Sequence, residues 1–266
     1  MRRPRALALI VAGSDPSGGA GLELGLKVHA LFGVHAAAIA TCVTLQTALG
    51  VRGVAASAVA PALRQIAALR AAAPIAVVQV GMVVDRGWIE ALGKLGREWG
   101  DVPFVVDPVV APTRGRRTLP RGELDRYRRE VVARATLLTP NALEAAELLG
   151  WSVAKVRREP AAAAAALLAL GPAAVLLKGG HLAARGALVD YLCGRFGARE
   201  FGQPRQAGAA PRGTGCALAA AIAAGLARGQ GVVAAIGAAQ RWLARARAAA
   251  RPIGAGRAYL SLAPNE

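Results

Sequence analysis

The sequence is poor in cysteine and histidine, with only three of each among its 266 residues. The cysteines (Cys42, Cys193 and Cys216) are unevenly spaced and form neither a disulfide framework nor a paired zinc motif. The histidines are too dispersed to complete a metal site. No apolar run approaches the roughly 20 residues that a membrane-spanning helix needs. We therefore expect a cytoplasmic protein with no structural metal cluster and no membrane partner.

Lysine is also scarce, since only four of the 33 basic residues are lysines and the other 29 are arginines. With 16 acidic residues the formal net charge is +17, a balance that is typical of nucleic-acid-binding proteins. Here the arginines are scattered among alanine-rich stretches instead of being gathered on one predicted face. We attribute them to compositional bias, and we expect no nucleic-acid partner.

Hydrophobic residues make up 55% of the chain and charged residues 18%, which predicts a globular protein with a large core. No linker or internal repeat divides it, so we expect one domain over residues 1–266. Short apolar runs predict buried strands, namely Leu7–Ala12, Ala37–Cys42, Ile75–Val80, Phe104–Val106, Thr136–Leu138, Ala174–Leu177 and Leu188–Leu192. Helical patterns alternate with them at Gly21–Leu31, Pro61–Ala72, Trp88–Trp99, Gly122–Ala133, Ala142–Leu149, Pro160–Leu170, Thr214–Arg228 and Gly231–Ala250. This alternation predicts an α/β fold with a mostly parallel sheet that is covered by helices on both faces.

Polar and glycine residues collect where the predicted strands end. In such sheets ligands bind beyond the carboxyl ends of the strands, and the residues at those positions are Gly13, Gln46, Met82, Asp107, Asn141 and Lys178. The sequence therefore predicts a ligand site along this edge of the sheet.

The segment Gly213-Thr214-Gly215-Cys216 precedes a long alanine-rich helical stretch. Two glycines permit a sharp turn and a close backbone approach to a ligand, and a helix that begins there directs unpaired N–H groups into the turn. Such a turn is typical of phosphate sites. The positive end of the helix also lowers the pKa of a nearby thiol, so we expect Cys216 to act as a base or a polar contact. An ordinary loop, with Thr214 as a helix cap and Cys216 as a small core residue, is the alternative.

Residues 13–19 form a glycine-rich segment that we call the glycine loop, and we expect Asp15 to cap it and not to react. Two common nucleotide motifs do not fit this part of the chain. Residues 13–18 have the glycine spacing of a P-loop, but Gly19 and Ala20 stand where the motif requires lysine and a hydroxyl residue. In a Rossmann turn the third glycine would come one residue before Gly25, and no clear acidic residue ends the second predicted strand. A nicotinamide-dependent enzyme therefore remains a weaker alternative.

The segment from Ala12 to Gly21, AGSDPSGGAG, resembles the N-terminal signature of bacterial hydroxymethylpyrimidine/phosphomethylpyrimidine kinases of thiamine biosynthesis. The similarity continues in order through Gln46, Gly81-Met82, Asp107-Pro108-Val109, Thr139-Pro140-Asn141 with Glu144, Lys178-Gly179-Gly180-His181 and Gly213-Thr214-Gly215-Cys216. It extends over roughly residues 6–228. The resemblance implies a ribokinase-like three-layer α/β/α sandwich, ATP and Mg²⁺ as cofactors, a small pyrimidine as substrate and a homodimer.

The resemblance also implies roles for individual residues. Cys216 would be the catalytic cysteine in a turn formed with Gly213, Thr214 and Gly215, while Lys178 would reach the ATP phosphates. Asn141 and Glu144 match a metal- and phosphate-binding motif, although the same pair reads as a helix capping box. Asp107 and Glu144 would hold Mg²⁺ through water. The pyrimidine would lie against Gly13, Gln46, Met82 and Val109, with the Gln46 amide pairing with the ring.

Three positions depart from the family pattern. Gly25 stands where an aspartate is usual, Arg212 where a histidine is usual, and Ala217 where a hydroxyl residue is usual. Glu23 is no simple substitute for the acid at position 25, because two residues along a helix rotate a side chain by roughly 200°. Two alternatives stay open. One is a pyridoxal or pyridoxine kinase, because those kinases share the superfamily and sometimes this cysteine. The other is a non-catalytic sensor that binds pyrimidine, which the departures at Gly25 and Ala217 motivate.

Overall fold

The computed structural model describes residues 7–110, 118–179, 187–204 and 210–262. Within these ranges the chain forms nine β-strands: β1 Leu7–Ser14, β2 Ala36–Thr47, β3 Gly50–Ala56, β4 Ile75–Val80, β5 Phe104–Val106, β6 Leu137–Leu138, β7 Ala174–Leu177, β8 Ala187–Gly194 and β9 Arg199–Pro204. The same ranges contain nine α-helices: α1 Gly21–Leu31, α2 Val59–Ala72, α3 Arg86–Glu98, α4 Leu124–Glu130, α5 Ala142–Leu149, α6 Val153–Arg158, α7 Pro160–Leu168, α8 Thr214–Ala227 and α9 Val232–Ala248.

All nine strands join one sheet in the order β3-β2-β1-β4-β5-β6-β7-β8-β9. Six central strands run parallel to one another, namely β2, β1, β4, β5, β6 and β7. At one edge β3 pairs antiparallel with β2, and at the other β8 pairs antiparallel with β7 and β9 antiparallel with β8. The mostly parallel sheet is therefore as predicted. Because these central strands are parallel, the carboxyl ends of β1, β4, β5, β6 and β7 lie along one edge of the sheet.

Helices cover both faces of the sheet. One face packs on α2 to α7 through a core that includes Leu9, Trp88 and Leu138. The other face packs on α1, α8 and α9, and there Ala220 and other alanines of α8 let that helix approach the sheet closely. β1 is buried along almost its whole length, as expected for a strand in the middle of a parallel sheet. The three-layer sandwich is thus confirmed.

The structure differs from the sequence prediction mainly at the edges of the sheet. β3 and β9 were not predicted, because β3 contains Gly50 and Gly53 and β9 contains Gly202 and Pro204, residues that are depleted in strands. The short helix α6 was not predicted either; Ser152 caps it by accepting a hydrogen bond from the Lys155 N–H. The helix predicted at Gly122–Ala133 is shorter, because 3₁₀ turns flank α4. None of the helices in the described ranges could span a membrane.

Candidate active site

The turn before α8 has the backbone geometry that its glycines predict. Gly213 caps the helix with φ +70°, in the left-handed region, and no side chain caps the helix start. A Cβ atom on Gly213 would lie only 2.0 Å from the Gly19 carbonyl oxygen, so only glycine fits. The first N–H groups of α8 thus open into the turn. We call residues 213–216 the anion turn.

The anion turn faces a lysine and an aspartate at the end of the sheet. A Cβ atom on Gly215 would lie 3.1 Å from Lys178 Nζ and 3.7 Å from Asp107 Oδ2. Asp107 directly follows β5 and Lys178 directly follows β7. Parallel pairing of β5, β6 and β7 therefore brings together two residues that lie 71 positions apart.

Lys178 lies between two buried carboxylates. Its Nζ donates to Asp107 Oδ1 at 2.6 Å and lies 3.8 Å from Glu144 Oε2. Burial by itself would lower the pKa of Lys178, but Asp107 and Glu144 raise it above its ordinary value. Burial, with Asp107 nearby, raises the pKa of Glu144, and Lys178 opposes that shift. The site thus holds a protonated lysine beside the anion turn.

Asn141 and Glu144 form the capping box at the start of α5. The Leu143 and Glu144 N–H groups donate to Asn141 Oδ1 at 2.8 and 3.0 Å, and the Asn141 N–H donates to Glu144 Oε2 at 2.8 Å. The cap also fixes the Glu144 carboxylate near Lys178. The structural interpretation of this pair is therefore confirmed, while its metal- and phosphate-binding role stays a prediction.

The residues predicted to hold a ring lie along the ends of β1, β2, β4 and β5. A Cβ atom on Gly13 would lie 3.5 Å from both Cβ and Cε of Met82, so the backbone of β1 approaches that side chain. Gln46 is half-buried near the end of β2 and donates to Asp15 Oδ2 at 3.3 Å. Val109 is half-buried, and its carbonyl accepts a hydrogen bond from Thr118 at 2.6 Å.

Comparison with known proteins identifies the family. The family model described as phosphomethylpyrimidine kinase matches residues 15–261. The chain belongs to the phosphomethylpyrimidine kinase family. It is 38% identical to a hydroxymethylpyrimidine/phosphomethylpyrimidine kinase from Streptomyces coelicolor, covering 94% of this chain and 91% of that protein. It is 37% identical to the enzyme of the same name from Mycobacterium bovis, covering 98% and 94%.

Solved structures show the same fold. A phosphomethylpyrimidine kinase from Clostridium difficile has a TM-score of 0.75 at 29% identity, covering 90% of this chain and 97% of that one. An ADP complex of Bacillus subtilis pyridoxal kinase has a TM-score of 0.84 at 26% identity, covering 97% and 98%. The resemblance inferred from the motifs is therefore confirmed.

The pKa expected of Cys216 is wrong. Cys216 is partly exposed, but burial of the thiol, with Asp107 nearby, raises its pKa to about 12. A hydrogen bond from the Gly21 backbone and the charge of Lys178 act in the opposite direction. The start of α8 does not lower the pKa, because desolvation of the thiolate and the adjacent carboxylate outweigh it.

Asp15 caps the glycine loop as predicted, since Asp15 Oδ1 accepts hydrogen bonds from the Ser17 N–H and hydroxyl at 3.1 and 2.7 Å. Its partner Arg212, whose Nη2 lies 2.9 Å from Asp15 Oδ2, was not predicted. No local pattern signals a contact between residues 197 positions apart. Asp190 was not predicted either; it accepts a hydrogen bond at 2.6 Å from the Gly179 N–H beside Lys178.

Gly25, one of the three departures from the family pattern, lies on the side of α1 that faces the sheet. A Cβ atom there would be 3.1 Å from Ile10 Cδ1 and 3.8 Å from Gln79 Nε2, both on buried residues. Glu23 accepts hydrogen bonds from the Ser14 hydroxyl at 2.5 Å and the Asp15 N–H at 2.7 Å, so it supports the glycine loop. Gly180 and His181 of the lysine motif lie outside the described residues.

Alanine at position 213 tests the geometry of the anion turn. Gly213 and Gly33 have nearly the same φ, +70° and +71°, but nothing lies within 4 Å of a Cβ atom on Gly33. Gly33→Ala should lose roughly 1 kcal/mol of unfolding free energy from left-handed strain alone. Gly213→Ala should lose clearly more and should also weaken nucleotide binding, as measured by urea unfolding and calorimetry. Equal losses of stability in the two variants would contradict the close contact with Gly19.

Proposed function

We propose that the protein transfers a phosphoryl group from ATP to 4-amino-5-hydroxymethyl-2-methylpyrimidine, to its monophosphate, or to both, in thiamine diphosphate biosynthesis. The observation that carries the proposal is the position of the anion turn. It faces Lys178 and Asp107 and contacts Gly19 of the loop after β1, in which Asp15 accepts a hydrogen bond from Gln46. Relatives that bear the corresponding name, at 37–38% identity over almost the whole chain, support it.

Phosphoryl transfer depends chiefly on positioning and on neutralisation of charge. The N–H groups of the anion turn are placed to stabilise the negative charge that develops on the transferred group. Lys178 supplies a fixed positive charge beside them. Together, the anion turn and Lys178 would hold the terminal phosphates of ATP in line with the acceptor hydroxyl.

Asp107 and Glu144 are the residues that would hold Mg²⁺. Carboxylate oxygens are the donors that Mg²⁺ prefers, and the ion usually keeps several waters when it binds together with phosphates. Both carboxylates lie near Lys178 beside the anion turn, at 2.6 Å for Asp107 and 3.8 Å for Glu144, so they fit water-mediated contact with an ion that arrives with phosphates. When bound, Mg²⁺ neutralises phosphate charge.

Cys216 is the group proposed to take or share the proton of the substrate hydroxyl. It lies in the first turn of α8, and its pKa of about 12 leaves the thiol protonated near neutral pH. A base with this pKa is present as a very small fraction, which increases about tenfold for each pH unit. Its contribution to the rate should therefore carry the same pH dependence.

The pH dependence of a single turnover tests this role. If Cys216 is the base, the rate should rise about tenfold per unit from about pH 7 to about pH 9, and Cys216→Ala should remove the slope. Cys216→Ala should also lower turnover on the order of 10²-fold, far more than it changes ATP affinity. Cys193→Ala is the control, because Cys193 lies on β8 and not in the anion turn. A flat profile in the unmodified protein would leave Cys216 as a polar contact only.

Two other functions remain to be distinguished. The B. subtilis structure that matches this fold is a pyridoxal kinase, whereas Gln46 offers a donor and an acceptor that suit an aminopyrimidine. A sensor that binds pyrimidine without transferring phosphate is the third possibility, and the departures at Gly25 and Ala217 motivate it. Only the two kinases would release ADP.

Product analysis decides between the three functions. Purified protein is incubated with MgATP and, separately, with the hydroxymethylpyrimidine, its monophosphate and pyridoxal. The products are identified by mass spectrometry, and ADP is followed in a coupled assay. We expect a phosphorylated pyrimidine with a kcat/KM well above that for pyridoxal. Preferential phosphorylation of pyridoxal would favour the pyridoxal kinase, and binding of pyrimidine without ADP release would favour the sensor.

We also propose a homodimer formed by the β2–β3 hairpin. Val43 and Leu45, two residues apart on β2, are 52% and 67% exposed, and Leu49 at the turn is 60% exposed. Large apolar side chains grouped in this way are typical of interfaces. A second copy of the chain would cover them. The cytoplasmic location remains a prediction.

Light scattering coupled to size exclusion tests the dimer. The unmodified protein should have twice the mass of one chain, and Leu45→Asp should reduce it to the mass of one chain, because it places a charge in the apolar contact. Leu26→Asp is the matched control on α1, where Leu26 is 38% exposed. A monomeric unmodified protein, or a dimer that persists in Leu45→Asp, would contradict the proposed interface.

A further inference from the structure

Asp15, in the glycine loop, forms hydrogen bonds through both carboxylate oxygens. Asp15 Oδ1 accepts from the Ser17 N–H and hydroxyl. Asp15 Oδ2 accepts from Arg212 Nη2 at 2.9 Å and from Gln46 Nε2 at 3.3 Å. The carboxylate is 2% exposed. It therefore connects the loop after β1, the end of β2 and the residue before the anion turn.

Arg212 is held in place on several sides. Its side chain is 7% exposed, and besides the bond to Asp15 its Nη1 donates to Ser17 Oγ at 2.9 Å and contacts the Tyr259 hydroxyl at 3.5 Å. The Arg212 N–H donates to the Ala258 carbonyl at 2.9 Å. A buried guanidinium with this many partners has one geometry available to it.

The ion pair fixes which end of the Gln46 amide faces Asp15. A carboxylate only accepts hydrogen bonds, so it pairs with the NH₂ group of the amide and not with its oxygen. The opposite rotamer would place Gln46 Oε1 against a carboxylate oxygen and would lose the hydrogen bond. Thr44 Oγ1, at 3.3 Å, lies on the Oε1 side. The amide therefore presents its oxygen and its second N–H in a set order.

We propose that Arg212 and Asp15 are positioning residues that fix the orientation of the Gln46 amide and thereby set the order of donor and acceptor that the protein offers to the pyrimidine ring. This inference rests on the proposed function. Arg212 acts through Asp15, and Asp15 acts through Gln46. Because Arg212 directly precedes the anion turn, the same contact also ties ring recognition to the phosphate side of the site.

A purely structural role predicts a different result. If the ion pair only stabilised the glycine loop, loss of Arg212 would lower stability and would weaken ligand binding by the same factor whether or not Gln46 were present. If Arg212 acts through Gln46, its effect on binding must depend on Gln46. A double-mutant cycle measures this dependence directly.

The experiment measures the Kd of the hydroxymethylpyrimidine by calorimetry, without nucleotide, for the unmodified protein, Arg212→Met, Gln46→Ala and the double variant. We expect Arg212→Met to raise Kd about tenfold, the range expected for a hydrogen bond to a charged group. In the Gln46→Ala background the same change should raise Kd less than about twofold. Arg212→Lys should recover part of the affinity.

Two further variants keep the test decisive. Asp15→Asn replaces an acceptor with a group that also donates, so the Gln46 amide is free to turn over, and the same cycle applies if Arg212→Met does not fold. Tyr259→Phe removes only the contact at 3.5 Å and should change Kd less than about twofold. Thermal unfolding of every variant separates loss of stability from loss of affinity.

The outcomes separate this inference from the function on which it rests. An unmodified protein that neither binds nor phosphorylates the hydroxymethylpyrimidine overturns both. An unmodified protein that binds it, with the same fold-change for Arg212→Met or Asp15→Asn in both backgrounds, overturns the inference alone. A loss of affinity that vanishes in the Gln46→Ala background supports the positioning role.

Discussion

The glycine loop and the anion turn contact each other through their backbones, and the arrangement of the site depends on that contact. Gly213 lies so close to Gly19 that it leaves no room for a side chain. The residues around it form two further links, because Arg212 pairs with Asp15 and Cys216 accepts a hydrogen bond from the Gly21 N–H. One short segment before and within α8 is therefore fixed to one short segment before α1. The two segments cannot move apart without breaking all three links.

Charge imposes a second constraint. Lys178, Asp107 and Glu144 are all largely buried, and a buried charge is costly unless a partner compensates it. The lysine pairs with Asp107 and lies 3.8 Å from Glu144, and the capping box of α5 supplies a hydrogen bond that Glu144 accepts. Burial nevertheless holds the pKa of Glu144 above its ordinary value. The lysine therefore compensates the charge of Asp107 more fully than that of Glu144.

Local patterns in the sequence predict the parts of the site that depend on local structure. The turn at Gly213, the capping box at Asn141 and the loop cap at Asp15 each depend on residues within four positions of one another, and the structure contains all three. The parallel order of the strands then explains why Asp107 and Lys178 meet. The partner of Asp15 could not be predicted in this way, because Arg212 is brought to it only by the packing of α8 against α1. The edge strands β3 and β9 were missed because glycine and proline weaken their local signal.

The pKa of Cys216 shows why position along a helix does not fix the chemistry of a side chain. A thiol in the first turn of a helix is stabilised as thiolate when the helix start is its main charged neighbour. Cys216 has the predicted position, but its thiol is desolvated by burial and Asp107 lies nearby. Both favour the neutral thiol. Lys178 opposes them, yet its nearest partner is Asp107. The pKa of the thiol is therefore set by residues that follow β5 and β7 as well as by the helix that carries it.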